Sequence, residues 1–292
     1  MYLNIVSFYF IDKLQKIYYH MNKHAYDNIK SKKTSLKKLI NILEIIENIE
    51  VIRMKICTYG NKNNEKILLI HPMFTNEEFF KECVNKLKDK YFLIVPTLSG
   101  HYENSTYISM ENEEVEINNF LENNNINKLK LVIGFSLGGN IAYDFFCKNL
   151  NKVEKVIIDS SPIFKFPKCV KSYFYKKYKK CLLNIKENKV NIVDELNKYF
   201  HGMGESQKDI TPLVTIDSLS NLIESCYNVN LYKLDKETQE RITFLYGTKD
   251  IARLCLPRIK KYKYSKFVKL NNLNHCEYFI KHLDDYIKEL IV

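Results

Sequence analysis

The sequence has no tryptophan, only eight glycines and six prolines, and no two cysteines spaced C-x-x-C. With so little Gly and Pro there is no low-complexity linker to divide it, and no internal repeat is visible. The eight cysteines, at positions 57, 83, 147, 169, 181, 226, 255 and 276, are scattered. In a chain this long they read as thiols of a reducing compartment, not as a disulfide framework. Neither they nor the seven histidines fall at metal-ligand spacings, so no metal is expected; no organic cofactor is expected either. A bilayer-spanning apolar run is also missing. The apolar start "MYLNIVSFYF" is interrupted by Asp12 and Lys13, and it lacks both a basic leader and a small-residue cleavage site. A cytoplasmic protein without membrane association is the corresponding expectation. Oligomeric state is not legible.

A hydrophobic content of 46% and an aromatic content of 13% are those of a globular chain, and 292 residues suffice for one large domain with a sizeable core. The net charge of +11 comes from lysines spread among many asparagines, which is a compositional habit and not a nucleic-acid footprint. The densest basic stretch, "KSYFYKKYKK" (171–180), interleaves Tyr and Phe with Lys as some nucleic-acid binders do. An amphipathic helix with a solvated Lys face accounts for it more simply, and no nucleic-acid partner is expected.

Residues 1–50 read as a helical extension. Ser35 is its candidate N-cap, and Leu36, Leu39, Ile40, Leu43 and Ile46 form one apolar stripe. From 51 to 292 strands and helices alternate. "VIRMKICTY" is a strand, "GNKNNEK" a hairpin-type loop, "ILLI" a second strand, and "NEEFFKECVNKLKDK" a helix capped by Asn76. "YFLIVP", "KLKLVIGF", "VEKVIID", "RITFLYG" and "KFVKL" are further strands, and "CEYFIKHLDDYIKELI" is a closing helix. Short apolar strands separated by helices imply an α/β fold with a mostly parallel, doubly wound sheet. Residues 161–240 break the alternation with helical and loop segments, and read as a helical insertion covering the domain.

Three of the eight glycines surround one serine in "VIGFSLGGN": Gly134, Gly138 and Gly139 around Ser136. With eight Gly and fifteen Ser, G-x-S-x-G is expected by chance on the order of 0.01 times in such a chain. A buried strand precedes it and a helical run follows, which is the setting of a nucleophile elbow. A serine hydroxyl needs a base to take its proton and an acid to orient that base. On such an elbow the order is Ser, then Asp or Glu, then His. Asp250 closes "FLYGTKD" after a strand and a Gly turn, and His275 lies in the loop after "KFVKL". Asp159, at the end of "VIID", is the alternative acid, and otherwise caps the turn into Ser160 and Ser161. His71 and His101 read as loop-ordering residues that hydrogen-bond backbone, and His201 as part of a loop within the insertion. The oxyanion formed in acyl transfer requires two N–H donors. Leu137 supplies one; in "HPMF" Pro72 has no N–H, which leaves Met73, or Phe74 if the loop is shifted.

With "ILLIHPMF", "VPTLSGH", "VIGFSLGG", "LYGTKD" and "LNH" in that order, the chain resembles the serine α/β-hydrolase superfamily over about residues 51–160 and 241–292. The resemblance implies Ser136 as nucleophile, Asp250 as acid and His275 as base, with Met73 and Leu137 as oxyanion donors. It also implies that 161–240 is the lid, and that the substrate is a small-molecule carboxylic ester or thioester cleaved through an acyl-enzyme. C–C bond hydrolysis, a lyase step, or ligand binding with little turnover are the alternatives on such a scaffold. The chain departs from the family's pattern at Pro72, where Gly is usual, at Thr97, where Asp is common, and at Asn274, where Gly is frequent.

Overall fold

The computed structural model describes residues 54–200 and 202–292; the expected N-terminal helices and His201 lie outside the described residues. In chain order the elements are β1 (Lys55–Tyr59), β2 (Lys66–Ile70), α1 (Lys81–Leu87), β3 (Phe92–Thr97), α2 (Met110–Asn123), β4 (Leu129–Phe135), α3 (Leu137–Lys148) and β5 (Val153–Asp159). Five helices follow: α4 (Lys168–Lys186), α5 (Ile192–Phe200), α6 (Gly204–Gln207), α7 (Ile216–Tyr227) and α8 (Lys236–Glu240). The chain then closes with β6 (Ile242–Gly247), α9 (Leu256–Ile259), β7 (Lys266–Leu270), α10 (Glu277–Lys281) and α11 (Leu283–Leu290).

The seven strands form one sheet in the order β1-β3-β2-β4-β5-β6-β7. β1 runs antiparallel to β3, and every other pairing is parallel. The loop 60–65 is therefore not a hairpin, contrary to the expectation from "GNKNNEK". The four apolar residues of β2, Ile67 to Ile70, are wholly buried, as in an interior strand covered on both faces, and β2 pairs with β3 on one side and β4 on the other. The half-exposed β1 takes the sheet edge beside β3 instead.

Local chemistry accounts for the ends of the helices. Asn76 accepts from Glu78 N–H at the start of a 3₁₀ turn (Glu77–Phe80) that leads into α1. Ser109 caps α2 through Asn112 N–H, and Thr215 caps α7 through Ser218 N–H. In α4 the residues Phe174, Tyr178, Cys181, Leu182 and Ile185 form the buried stripe, with lysines on the opposite side. The expected single closing helix is two, broken at His282 (φ −130°, ψ 46°). Phe279 and Tyr286 are seven positions apart, about 10 Å along an unbroken helix. The break brings their rings to 4.6 and 5.9 Å from that of Phe135, the last residue of β4. Burying an aromatic ring of this kind contributes roughly 2–3 kcal/mol, so the cluster anchors the strand that carries Ser136.

The parallel strands β2 to β7 end on one edge of the sheet, where ligands and chemistry collect in such folds. Residues 71–74, 98–101, 136, 160–161, 250 and 275 all follow strand ends there, and Asp159 is the last residue of β5.

Candidate active site

Ser136 lies between β4 and α3 with φ 52° and ψ −115°, in the left-handed region that side-chain-bearing residues avoid. Such a conformation costs on the order of 1–3 kcal/mol and persists only where its surroundings hold it. Its N–H donates to Asp159 O at 2.9 Å, and its own carbonyl accepts from Gly139 and Asn140 N–H at 3.0 and 3.1 Å. Gly138 allows the close approach behind it, since a Cβ there would lie 2.2 Å from Ile70 O and 2.6 Å from His71 O. α3 begins at Leu137, so the Leu137 N–H is a first-turn donor with no intrahelical acceptor.

Asp250 and His275 are brought together across 25 residues of sequence: His275 Nδ1 donates to Asp250 Oδ1 at 2.9 Å. The same oxygen accepts from Ala252 N–H at 2.9 Å, which fixes the carboxylate. Lys249 N–H donates to Leu273 O at 3.0 Å and Thr248 N–H to Leu270 O at 2.9 Å, tying the two loops to each other. The Asp250 side chain is fully buried, while that of His275 keeps 21% exposure. Burial opposes a charge on His275, but the adjacent Asp250 carboxylate outweighs it and holds the ring well above its ordinary value of 6.5. On either side of His275, Asn274 and Glu277 are joined: Asn274 N–H and Nδ2 both donate to Glu277 Oε2, at 2.7 and 2.9 Å. Asn274 thus orders this turn where a glycine would have left it loose.

Asp159, the alternative acid, has no hydrogen bond to His275. Its Oδ1 accepts from Ser160 Oγ at 2.8 Å, and Ser160 Oγ in turn accepts from Cys276 N–H at 2.9 Å. Burial pushes its carboxyl up to about 7, against the lowering effect of the Ser160 hydrogen bond. Its place at the end of β5 was legible from sequence, whereas the link through Ser160 to the histidine loop carries no motif.

His71 and His101 both order backbone. His71 Nδ1 donates to Pro72 O at 2.8 Å and its Nε2 accepts from Leu98 N–H at 2.9 Å. His101 Nδ1 donates to Ser99 O at 3.0 Å and its Nε2 accepts from Phe74 N–H at 3.0 Å. Each needs a neutral ring to be donor and acceptor at once. Desolvation holds His71 well below its ordinary value, and likewise lowers His101 to about 4. Phe74 has φ 67° and its N–H is already committed to His101, so it is not a free donor. Among the described residues nothing accepts from Met73 N–H. Thr97 Oγ1 donates to the buried Glu77 carboxylate, which also pairs with Lys55. Thr97 thus ties β3 to the segment before α1, at the position where an Asp is common.

Ser136, Met73, Asp250 and His275 line one cavity of about 230 Å³. Its other walls are mainly apolar and aromatic: Phe166, Phe174, Tyr178, Phe200, Met203 and Tyr227, all from the segment between β5 and β6.

No protein-family model matches the chain, and no curated protein sequence matches it. Solved structures do. An alpha/beta hydrolase family protein from Desulfitobacterium hafniense is 19% identical, with 82% of this chain and 100% of that one covered and a TM-score of 0.63. An enol-lactonase from Burkholderia xenovorans is 13% identical, with 82% and 95% covered and a TM-score of 0.64. A carboxylesterase from Bacillus subtilis is 11% identical, with 82% and 86% covered and a TM-score of 0.60. The chain has the α/β-hydrolase fold. At these identities the likeness concerns the fold, and the chemistry has to be argued from the site.

Proposed function

We propose that the protein is a serine hydrolase that cleaves a carboxylic ester or thioester of a small molecule through an acyl-enzyme on Ser136. The observation that carries this reading is the His275–Asp250 hydrogen bond, 2.9 Å long, in a cavity also lined by the strained Ser136. His275 Nε2 takes the hydroxyl proton as Ser136 Oγ attacks the acyl carbon. Asp250 holds the ring in the Nδ1–H tautomer and stabilises the imidazolium. The tetrahedral oxyanion accepts from Met73 and Leu137 N–H, each such donor being worth roughly 2.7–4 kcal/mol. His275 then gives its proton to the departing alcohol or thiol. Water, deprotonated by the same ring, releases the acid and restores Ser136. The acyl group is apolar, matched to the Phe and Tyr walls, and the 161–240 segment acts as the lid that excludes water from it.

Among the described residues no helix is long and apolar enough to cross a membrane. A fluorophosphonate probe tests the chemistry, because it phosphonylates a serine only when base and oxyanion donors act together. Covalent labelling of the wild type, its loss in Ser136→Ala, and turnover on an ester or thioester panel of graded acyl length are expected. Folded protein that is neither labelled nor active rules the reading out. Labelling without turnover on any substrate favours a ligand-binding protein instead.

A further inference from the structure

Gln207, the last residue of α6, is 1% exposed, and its Nε2 donates to the main-chain carbonyl of Met73 at 3.2 Å. That carbonyl can only accept, so the side-chain atom facing it is the amide nitrogen. The other pole of the same peptide group, Phe74 N–H, donates to His101 Nε2 at 3.0 Å. A peptide unit is planar, so holding its C=O and its N–H from two sides fixes its rotation. One holder comes from the loop after β3, the other from the segment between β5 and β6. The free N–H of Met73 belongs to the preceding peptide unit, whose Pro72 carbonyl accepts from His71 Nδ1 and Thr75 Oγ1, both at 2.8 Å. The two units meet at the Met73 Cα, so with both held the N–H has a set direction, and Gln207 secures the far side.

Gln207 is an expensive choice for stability alone. Its Oε1 is buried and has no hydrogen-bond partner among the described residues, which carries a desolvation cost. The residue is itself held in place, since Thr211 Oγ1 donates to its main-chain carbonyl at 2.8 Å, and it lines the cavity beside Met203. A Leu or Met would fill the same space without the orphaned oxygen. What only the amide supplies is the hydrogen bond to Met73.

We propose that Gln207 is a positioning residue for the oxyanion donor Met73, so that alignment of the hole depends on the seating of the 161–240 segment. The inference rests on the serine-hydrolase reading above. It places part of the catalytic alignment in a residue that touches neither substrate carbonyl nor triad.

Gln207→Met and Gln207→Glu keep the side chain's length; the first removes the donor, and the second sets a carboxylate against the Met73 oxygen. On the best ester found for the wild type, both are expected to lower kcat about tenfold or more with KM within about twofold. Affinity for an alkyl boronic acid, which forms a tetrahedral adduct on Ser136, should fall by the same factor. A raised KM at unchanged kcat makes Gln207 a pocket wall and overturns the assignment, as do unchanged kinetics in both variants. Loss of folded protein in both, seen by circular dichroism, makes it a structural residue and equally overturns it. Wild-type protein that is neither labelled by fluorophosphonate nor active removes the hydrolase reading and this inference together. An active, labelled wild type beside unaffected variants removes this inference alone.

Discussion

The carboxylate of Asp159 is joined to the main-chain N–H of Cys276, one residue past His275, through a single atom, Ser160 Oγ, at 2.8 and 2.9 Å. Asp159 therefore steadies the histidine loop without touching the imidazole, while Asp250 bonds the ring directly. The two acids are separable. Asp250→Asn should lower kcat by about 10⁴, whereas Asp159→Asn, whose Oδ1 still accepts from Ser160, should keep most activity. Steady-state kinetics on any turned-over ester decide it, and the reverse ranking would exchange the roles.

Asp159 also makes a stability prediction. Its buried carboxyl holds a proton up to about 7, while an unfolded Asp releases it near 3.8. Between those values the native state binds more protons than the unfolded state, so this group's contribution to stability declines as pH rises from about 4 to about 7. Asp159→Asn lacks that decline. Its unfolding free energy in urea relative to wild type should improve from pH 4 to pH 8, by up to about 4 kcal/mol.

His101 has the opposite sign. Its folded value of about 4 lies below the ordinary 6.5, so the unfolded state binds more protons in between, and its contribution to stability is lost as pH falls through that window. Protonation also removes the acceptor for Phe74 N–H. His101→Gln should show a shallower acid loss of thermal stability between pH 6.5 and 4 than wild type, together with reduced kcat at pH 8. Parallel acid limbs in the two proteins would show that His101 does not hold the loop.

The proposed mechanism needs His275 neutral, and Asp250 holds its proton above the ordinary imidazole range. The acid limb of kcat/KM should therefore lie above pH 6.5, with activity rising as pH climbs through it. In Asp250→Asn the limb should move to lower pH while the plateau falls. A wild-type limb below pH 6 would contradict the pairing.

Gly138→Ala tests the packing behind the elbow. The added Cβ would sit 2.2 Å from Ile70 O, a backbone atom that cannot turn away. α3 must shift from β2, which displaces Leu137 N–H and the 71–73 loop at once. A loss of roughly 2–4 kcal/mol in denaturant unfolding and at least a tenfold loss of labelling rate are expected. Unchanged labelling would mean that the donors do not depend on this contact.

The sequence by itself determined the strand and helix alternation, the serine flanked by glycines, and the order Ser136, Asp250, His275. Those features depend on local pattern: apolar runs that must be buried, and residues small enough for a strained turn. It also marked His71 and His101 as backbone-ordering residues, because neither sits in a base's place. Which strand lies beside which was not local. β1 lies next to β3 and not β2, because only the assembled sheet shows which edge a half-exposed strand can occupy. The break at His282 is likewise non-local, since the two short helices place Phe279 and Tyr286 against the distant ring of Phe135. That Phe74 N–H is committed while Met73 N–H is not rests on a hydrogen bond across 27 residues, Phe74 N–H to His101. Gln207 reaches Met73 across 134 residues from "GESQ", which carries no motif. Directional bonds between distant segments leave no periodicity in the chain, so only the tertiary structure decides them.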